Sequence, residues 1–142
     1  MKIYKYASAV WNGPVPTGTG SMRLGKNGGS LAYSLKSRVE DTDMTNPEEL
    51  VGAALAGCFS MHLTSLIEDA GKKPGVIEAS AKVTLEQRAD GFWISEIQLI
   101  TRGSGQELSN EEFVAFAEKA KATCPVSKLY SSALITLDAA LA

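Results

Sequence analysis

The longest regular pattern in the chain is a run of apolar and small residues that follows a helical repeat. Residues on one predicted face recur at steps of three or four: Leu50, Ala53, Ala54, Gly57, Cys58, Met61 and Ser65. This spacing is typical of an α-helix. Asn46 is a suitable N-cap, Pro47 suits the first helical position, and Glu49 falls where an approximate capping box needs it. We expect the helix to end near Ala70-Gly71.

Almost no charged residue lies between Leu50 and Ile67. A helix that is apolar on all sides is a buried helix. In a chain of 142 residues few elements are available to surround it. The pattern therefore predicts that a partner chain covers part of this helix.

Strands and turns are predicted before this helix, in residues 1–43. Apolar positions alternate in KIYKYASAVW, and two further short strands are predicted in GSMRLGKNGG and SLAYSLKSRVED. Gly28-Gly29 is the candidate hairpin turn. Arg38 then lies at the end of a strand that runs toward the helix.

Two longer strands and two helical stretches follow. VIEASAKVTLEQ and FWISEIQLITR alternate around Ala89-Asp90-Gly91 and predict an antiparallel hairpin. Ser109 or Asn110 caps a second helix, EEFVAFAEKAKAT, and CPVSKLYSS starts a short helix at Pro125. ALITLDAAL is the last strand. Because strands and helices are segregated, we predict an α+β fold with one domain over residues 1–142.

Composition excludes several classes of function. The net charge is −2 and the pI about 5.4, so no bulk charge favours nucleic acid or an anionic membrane. The N-terminus lacks the apolar stretch of a signal peptide, and no run approaches the roughly 20 apolar residues of a membrane span. We expect a cytoplasmic protein, where a static disulfide is rare. With two cysteines and one histidine, we expect no metal.

The two cysteines, Cys58 and Cys124, have three possible roles: core filling, a structural disulfide, or redox chemistry. A free buried cysteine usually behaves as a small hydrophobic residue. Cys58 lies about 16 Å along its helix from Pro47, beyond the reach of the helix dipole. Burial alone raises a thiol pKa, so a reactive Cys58 needs a nearby cation or hydrogen-bond donor.

Candidate partners for Cys58 lie on both sides of it in sequence. His62 follows four residues later on the same helix face, although such a histidine is often only a hydrogen-bonded structural residue. Arg38 could supply the cation, oriented by Glu48 through a bidentate pair. Cys124 is either a small residue at a helix junction or a thiolate favoured by the helix that Pro125 begins. Residue types alone leave these alternatives open.

Arg38, the segment TNPEELVGAALAGCFSM and the segment CPVSK together resemble the OsmC branch of the OsmC/Ohr family of thiol peroxidases. The resemblance extends over essentially the whole chain, from IYKYASAVWNG to ITLDAAL. It implies an intertwined homodimer with antiparallel sheets around long central helices and active sites at the subunit interface. No cofactor is implied.

The resemblance also implies a role for four residues. Cys58 matches the peroxidatic cysteine, Cys124 the resolving cysteine, Arg38 the activating arginine and Glu48 its partner, whereas His62 is outside this pattern. The implied substrates are organic hydroperoxides and, more weakly, hydrogen peroxide, in oxidative or osmotic stress defence. The implied reductant is a dithiol, possibly of the lipoyl type. A non-enzymatic redox sensor and an apolar-ligand-binding module on the same fold are the alternatives.

One geometric question accompanies these roles. Ten residues separate Glu48 from Cys58, which in a straight helix is about 15 Å along the axis and about 80° of rotation. Arg38 must therefore bridge them, or the helix must bend near Gly52 or Gly57, or a second subunit must contribute to the site.

Overall fold

The computed structural model describes all 142 residues, which divide into two compact units, Met1–Leu50 and Val51–Ala142. The first unit contains an antiparallel sheet with the strand order β1-β2-β3. Its strands are β1 (Ala7–Asn12), β2 (Thr19–Leu24) and β3 (Ser30–Tyr33). The rings of Trp11 and Tyr33 are 5.5 Å apart. They close over Gly20, where a Cβ would lie 2.5 Å from the Tyr33 ring, so this position needs glycine.

The segment that contains Arg38 is helical, so the prediction of a strand there is wrong. Helix α1 spans Leu35–Val39. The Ser34 hydroxyl accepts a hydrogen bond from the Ser37 amide, and the Ser37 hydroxyl accepts one from the Ser34 amide. This reciprocal capping box starts a helix directly after β3 and overrides the extended pattern of the sequence.

Helix α2 (Pro47–Asp69) is confirmed together with its N-cap. Asn46 Oδ1 accepts a hydrogen bond from the Glu49 amide at 2.8 Å. The Glu49 carboxylate does not complete the capping box and instead accepts from the Thr45 hydroxyl at 2.9 Å. At the other end Gly71 takes a φ of +71°, which glycine adopts without strain and which stops the helix as predicted.

Only one side of α2 is buried in the single chain, and several of the small residues that follow its helical repeat lie on the other side. Leu55, Phe59, Leu63 and Ile67 are fully buried, whereas Ala53, Ala54, Gly57, Met61 and Ser65 are exposed. Met61 retains 74% of its accessible surface. An apolar surface therefore remains uncovered along the middle of this helix.

By length and composition α2 could cross a membrane, contrary to the expectation that no run approaches a span. Its most apolar window has a mean hydropathy of 1.7 and is 28% buried. The core helix of a globular protein meets the same criterion. The four fully buried residues of α2 belong to such a core.

The second unit adds a three-stranded sheet, with the order β4-β5-β6. Strands β4 (Val76–Arg88) and β5 (Gly91–Ser104) form the predicted antiparallel hairpin. Strand β6 (Leu134–Leu141) pairs with β5 in parallel, so this sheet is mixed rather than wholly antiparallel. A parallel pair needs a crossover connection, and the crossover here contains α3 (Asn110–Thr123) and α4 (Pro125–Leu129). The predicted α+β class is confirmed.

The core of the second unit lies between its sheet and the buried stripe of α2. Ile97 and Leu99 on β5 face Phe113 and Ala117 of α3 and the buried residues of α2. Cys124 belongs to the same cluster and is fully buried. The core therefore places the end of α3 beside the middle of α2.

Candidate active site

Cys58 and Cys124 meet in the second unit. Their sulfur atoms are 2.7 Å apart and share a hydrogen bond, and both thiols are free. Cys58 lies on the partly exposed edge of α2, whereas Cys124 is 0% exposed. A disulfide between them needs only a small further approach of the two sulfurs. The arrangement can therefore alternate between a dithiol and a disulfide.

The local sequence explains why Cys124 is held at this point. Its amide donates a hydrogen bond to the Ala120 carbonyl at 2.9 Å and so closes α3. Pro125 has no amide hydrogen, and it begins α4, in which the Lys128 amide bonds to the Cys124 carbonyl at 3.1 Å. Because both helices anchor its backbone, Cys124 is a fixed partner for Cys58.

The electrostatics of the pair favour charge on Cys124. Burial, followed by the hydrogen bond with Cys124, raises the pKa of Cys58. Burial would also raise the pKa of Cys124, but the hydrogen bond with Cys58 and interactions with Ser127 and the Val126 amide outweigh it, so the Cys124 pKa is lowered. Cys124 therefore does not lower the Cys58 pKa, and a reactive Cys58 still needs a nearby cation or another hydrogen-bond donor.

Solvent access and pKa favour different thiols as the one that reacts with a peroxide. The pKa favours Cys124, whereas solvent access favours Cys58. A peroxide must reach the sulfur that it oxidises, and Cys124 has no exposed surface. Cys58 has partial exposure. Cys58 is therefore the more accessible of the two sulfurs.

Arg38 and Glu48 form the predicted pair in the first unit. Arg38 Nη2 donates to Glu48 Oε1 at 2.5 Å, and Arg38 Nε donates to the same oxygen at 3.1 Å. The Glu48 side chain is 10% exposed and the Arg38 side chain 37%. The hydrogen bond that Arg38 donates to Glu48 raises the pKa of Arg38, so the guanidinium is permanently charged and fixed in direction.

Arg38 also lines a small cavity of about 160 Å³ in the first unit. Trp11, Val15, Tyr33 and Leu35 supply most of the wall, with Ser34 beside them. A cation at the edge of an apolar pocket can hold a molecule that has one polar, electron-rich end and an apolar body. An alkyl hydroperoxide is a molecule of this kind.

His62 does not serve as the partner of Cys58. Its Nε2 lies 2.8 Å from Thr123 Oγ1, so its polar end is directed to the last residue of α3. Sequence position correctly put His62 near Cys58, but only the packing of α2 on α3 identifies its actual partner.

Ser127 is a residue of the site that the sequence reasoning missed. It is 6% exposed, and its hydroxyl has no hydrogen-bond partner. It lies three residues after Cys124 in the first turn of α4. The spacing in CPVS could have identified it, because the third residue after an N-cap is placed to face the cap.

The structure thus brings together Arg38 with Glu48, and Cys58 with Cys124. That all four act on one substrate stays a prediction. No group of three or more His, Cys, Asp or Glu side chains is placed to hold a metal ion.

Comparison with known proteins gives a consistent result. A family model described as OsmC-like protein matches residues 40–138. The protein named Peroxiredoxin OsmC from Escherichia coli strain K12 is 38% identical over 141 residues, which cover 97% of this chain and 96% of that protein. Organic hydroperoxide resistance protein OhrA from Bacillus subtilis strain 168 is 34% identical over 98 residues, or 68% of this chain and 67% of that protein.

Solved structures share the fold over the full length. An organic hydroperoxide resistance protein from Elizabethkingia anophelis, crystallised with thiocyanate bound, aligns with a TM-score of 0.80 at 25% identity and covers 100% of both chains. A protein from Legionella pneumophila described as organic hydroperoxide resistance protein OsmC aligns at 0.78 with 21% identity, over 98% of this chain and 99% of that one. The OsmC/Ohr-like fold expected from the sequence is confirmed.

Proposed function

Because the chain belongs to the OsmC-like protein family, we propose that it is a thiol-dependent peroxidase that reduces organic hydroperoxides and, more weakly, hydrogen peroxide. The names of its relatives support a peroxidase-type activity. The single observation that carries the proposal is the cysteine pair, in which the sulfurs are 2.7 Å apart and only Cys58 is accessible.

The reaction begins at Cys58. Its thiolate attacks one peroxide oxygen, the O–O bond breaks, and an alcohol leaves after protonation, so that Cys58 becomes a sulfenic acid. The Cys124 thiolate then attacks the Cys58 sulfur, water departs, and a disulfide forms. A dithiol, which the family resemblance suggests is of the lipoyl type, reduces the disulfide.

Arg38 supplies the charge that the cysteine pair lacks. We assign it two tasks: lowering the Cys58 pKa and stabilising the negative charge that develops on the peroxide oxygens. The buried Glu48 carboxylate fixes the guanidinium for both tasks. The geometry of the ion pair is bidentate, with Arg38 Nη2 donating to Glu48 Oε1 and Nε to Glu48 Oε2 at 3.3 Å, and it supports this assignment.

The proposed working unit is a homodimer in the cytoplasm. Its support is the uncovered apolar side of α2, where Ala53, Ala54, Gly57 and Met61 are exposed in the single chain. A patch of this kind in the centre of a long helix is typical of an obligate interface. A role in oxidative or osmotic stress defence would follow from the proposed chemistry.

Steady-state reduction of tert-butyl hydroperoxide and of hydrogen peroxide, each with a monothiol and with dihydrolipoamide, tests the function. We expect the organic peroxide and the dithiol to give the highest turnover. Cys58→Ser should abolish it, and Cys124→Ser should permit only a single oxidation of Cys58. Full turnover by Cys58→Ser would show that the enzyme assignment is wrong. Ser60→Ala, two residues from Cys58, is the matched control and should remain active.

A further inference from the structure

We propose that reduction of the Cys58–Cys124 disulfide is directional: the reductant attacks the Cys58 sulfur, and Cys124 leaves as a thiolate held by the Ser127 hydroxyl. Ser127 is thus a positioning residue for the leaving group. The inference rests on the proposed function, because it concerns the disulfide that the peroxidase reaction forms.

Access to the two sulfurs sets the direction. Thiol–disulfide exchange needs the incoming sulfur to reach the sulfur that it attacks. Cys124 is 0% exposed and packs in the core cluster with Phe113 and Ala117. Cys58 is partly exposed on α2. An external thiolate can therefore reach Cys58 without any displacement of the core.

The Ser127 hydroxyl independently supports Cys124 as the leaving group. A buried hydroxyl without a partner is unusual and needs an explanation, and the Ser127 hydroxyl is buried without a hydrogen-bond partner. Ser127 is the third residue after the N-cap Cys124, a position from which a side chain can reach back to the cap. This hydroxyl is therefore free to donate a hydrogen bond to a negatively charged sulfur at Cys124.

The backbone around Cys124 adds further donors. Pro125 contributes none, so the first amides of α4 are those of Val126 and Ser127. The neutral Cys124 side chain makes no capping hydrogen bond to them, which leaves them available to a thiolate. Both amides and the Ser127 hydroxyl act to lower the Cys124 pKa, whereas of these groups only the Val126 amide also acts on Cys58. A thiol of lower pKa is the better leaving group in exchange.

Reduction of the disulfide takes two exchange steps. The reductant thiolate forms a bond to Cys58 Sγ, the Cys58–Cys124 bond breaks, and its electron pair goes to Cys124 as the thiolate. The second thiol of a dithiol then attacks the reductant sulfur in the mixed disulfide and releases Cys58. With a monothiol the Cys124 thiolate, only 2.7 Å away in the reduced pair, re-forms the disulfide and expels the reductant.

The experiment uses the full-length protein oxidised to the disulfide with diamide, so no peroxide enters it. The disulfide is mixed with 2-mercaptoethanol and quenched in acid at early times, so that Cys124 is protonated before it can expel the reductant, and the products are alkylated and mapped by mass spectrometry. We expect the mixed disulfide on Cys58 and the alkyl group on Cys124. Mixed disulfide mainly on Cys124 would overturn the inference. Because the oxidant is diamide, this result is independent of whether the peroxidase assay succeeds.

A second arm tests Ser127 through the equilibrium of the disulfide with glutathione. Ser127→Ala should shift this equilibrium toward the disulfide by about tenfold near pH 8, since one hydrogen bond to a charged group is lost. The shift should vanish at low pH, where Cys124 is protonated in both proteins. Ser127→Thr should restore the wild-type value, and Ser60→Ala should not alter it. A shift of equal size at every pH, or none, would contradict the role of Ser127. If Ser127→Ala does not fold, Ser127→Gly replaces it in the same titration.

Discussion

His62 Nε2 lies 2.8 Å from the hydroxyl of Thr123, whose own hydrogen is directed to the Lys119 carbonyl at 2.7 Å. The hydroxyl must therefore accept, and His62 must donate from Nε2, which assigns the tautomer from the network. This bond joins α2 to the end of α3 one residue before Cys124. The bond therefore connects the two helices that carry the cysteines on either side of the pair.

His62→Ala should lower the free energy of unfolding by about 1 kcal/mol, because the bond to Thr123 is lost, with little change in Cys58 chemistry. Urea unfolding measures the first quantity, and the pH dependence of Cys58 alkylation measures the second. Thr123→Val should destabilise the protein to a similar degree. A large shift of the alkylation profile in His62→Ala alone would instead make His62 the activator of Cys58.

Arg38→Ala should slow the oxidation of Cys58 by organic peroxide at least about tenfold, since a charge-stabilising donor of this kind commonly contributes that much. It should also move Cys58 alkylation to higher pH. Arg38→Lys should recover only part of the rate, because the bidentate geometry with Glu48 is lost. Arg88→Ala, which removes an exposed arginine paired with Glu86, is the control for charge. Equal rates for wild type and Arg38→Ala would remove Arg38 from the mechanism.

Cys124→Ala should move the ionisation of Cys58 to lower pH. The hydrogen bond with Cys124 is one of the causes that raise the Cys58 pKa, and it is absent in the variant. At a pH below the wild-type midpoint, a larger fraction of Cys58 is then thiolate and alkylation is faster. Thiolate absorbance near 240 nm during a pH titration provides a second measurement. A midpoint that moves upward would show that Cys124 promotes the ionisation of Cys58.

Met61→Glu should shift the protein from dimer toward monomer, because it introduces a charge at the centre of the uncovered apolar side of α2. Sedimentation velocity at several protein concentrations measures this. Met61→Leu keeps the side chain apolar and should remain dimeric. If Met61→Glu is also dimeric, the interface lies elsewhere on the chain.

Local signals in the sequence predicted most of the elements. Asn46 and Pro47 marked the start of α2, and Asp90-Gly91 marked the hairpin between β4 and β5, because caps and turns depend on neighbouring residues. Arg38 was assigned to a strand because alternation over a few residues does not reveal the reciprocal bonds of Ser34 and Ser37.

Features that depend on contacts between residues far apart in the sequence are not predicted by local patterns. The parallel pairing of β6 with β5 depends on how the crossover folds back, which no local pattern reports. The sequence does not show which side of α2 faces its own sheet and which is left for a partner, because the helix is apolar all round and periodicity does not distinguish the two sides. The lack of a hydrogen-bond partner for the Ser127 hydroxyl is likewise visible only in the folded structure, where α4 packs on the core.

The two cysteines are 66 residues apart in sequence, so their oxidation closes nearly half of the chain into a ring. A cross-link over a loop of this length removes conformational freedom from the unfolded chain and is worth roughly 4 kcal/mol in the chain-entropy description. The oxidised molecule should therefore melt at a higher temperature than the reduced one. In each catalytic cycle the protein would alternate between a less stable reduced form and a more stable oxidised form. Resistance to heat or proteolysis would then measure the fraction of the protein that peroxide has oxidised.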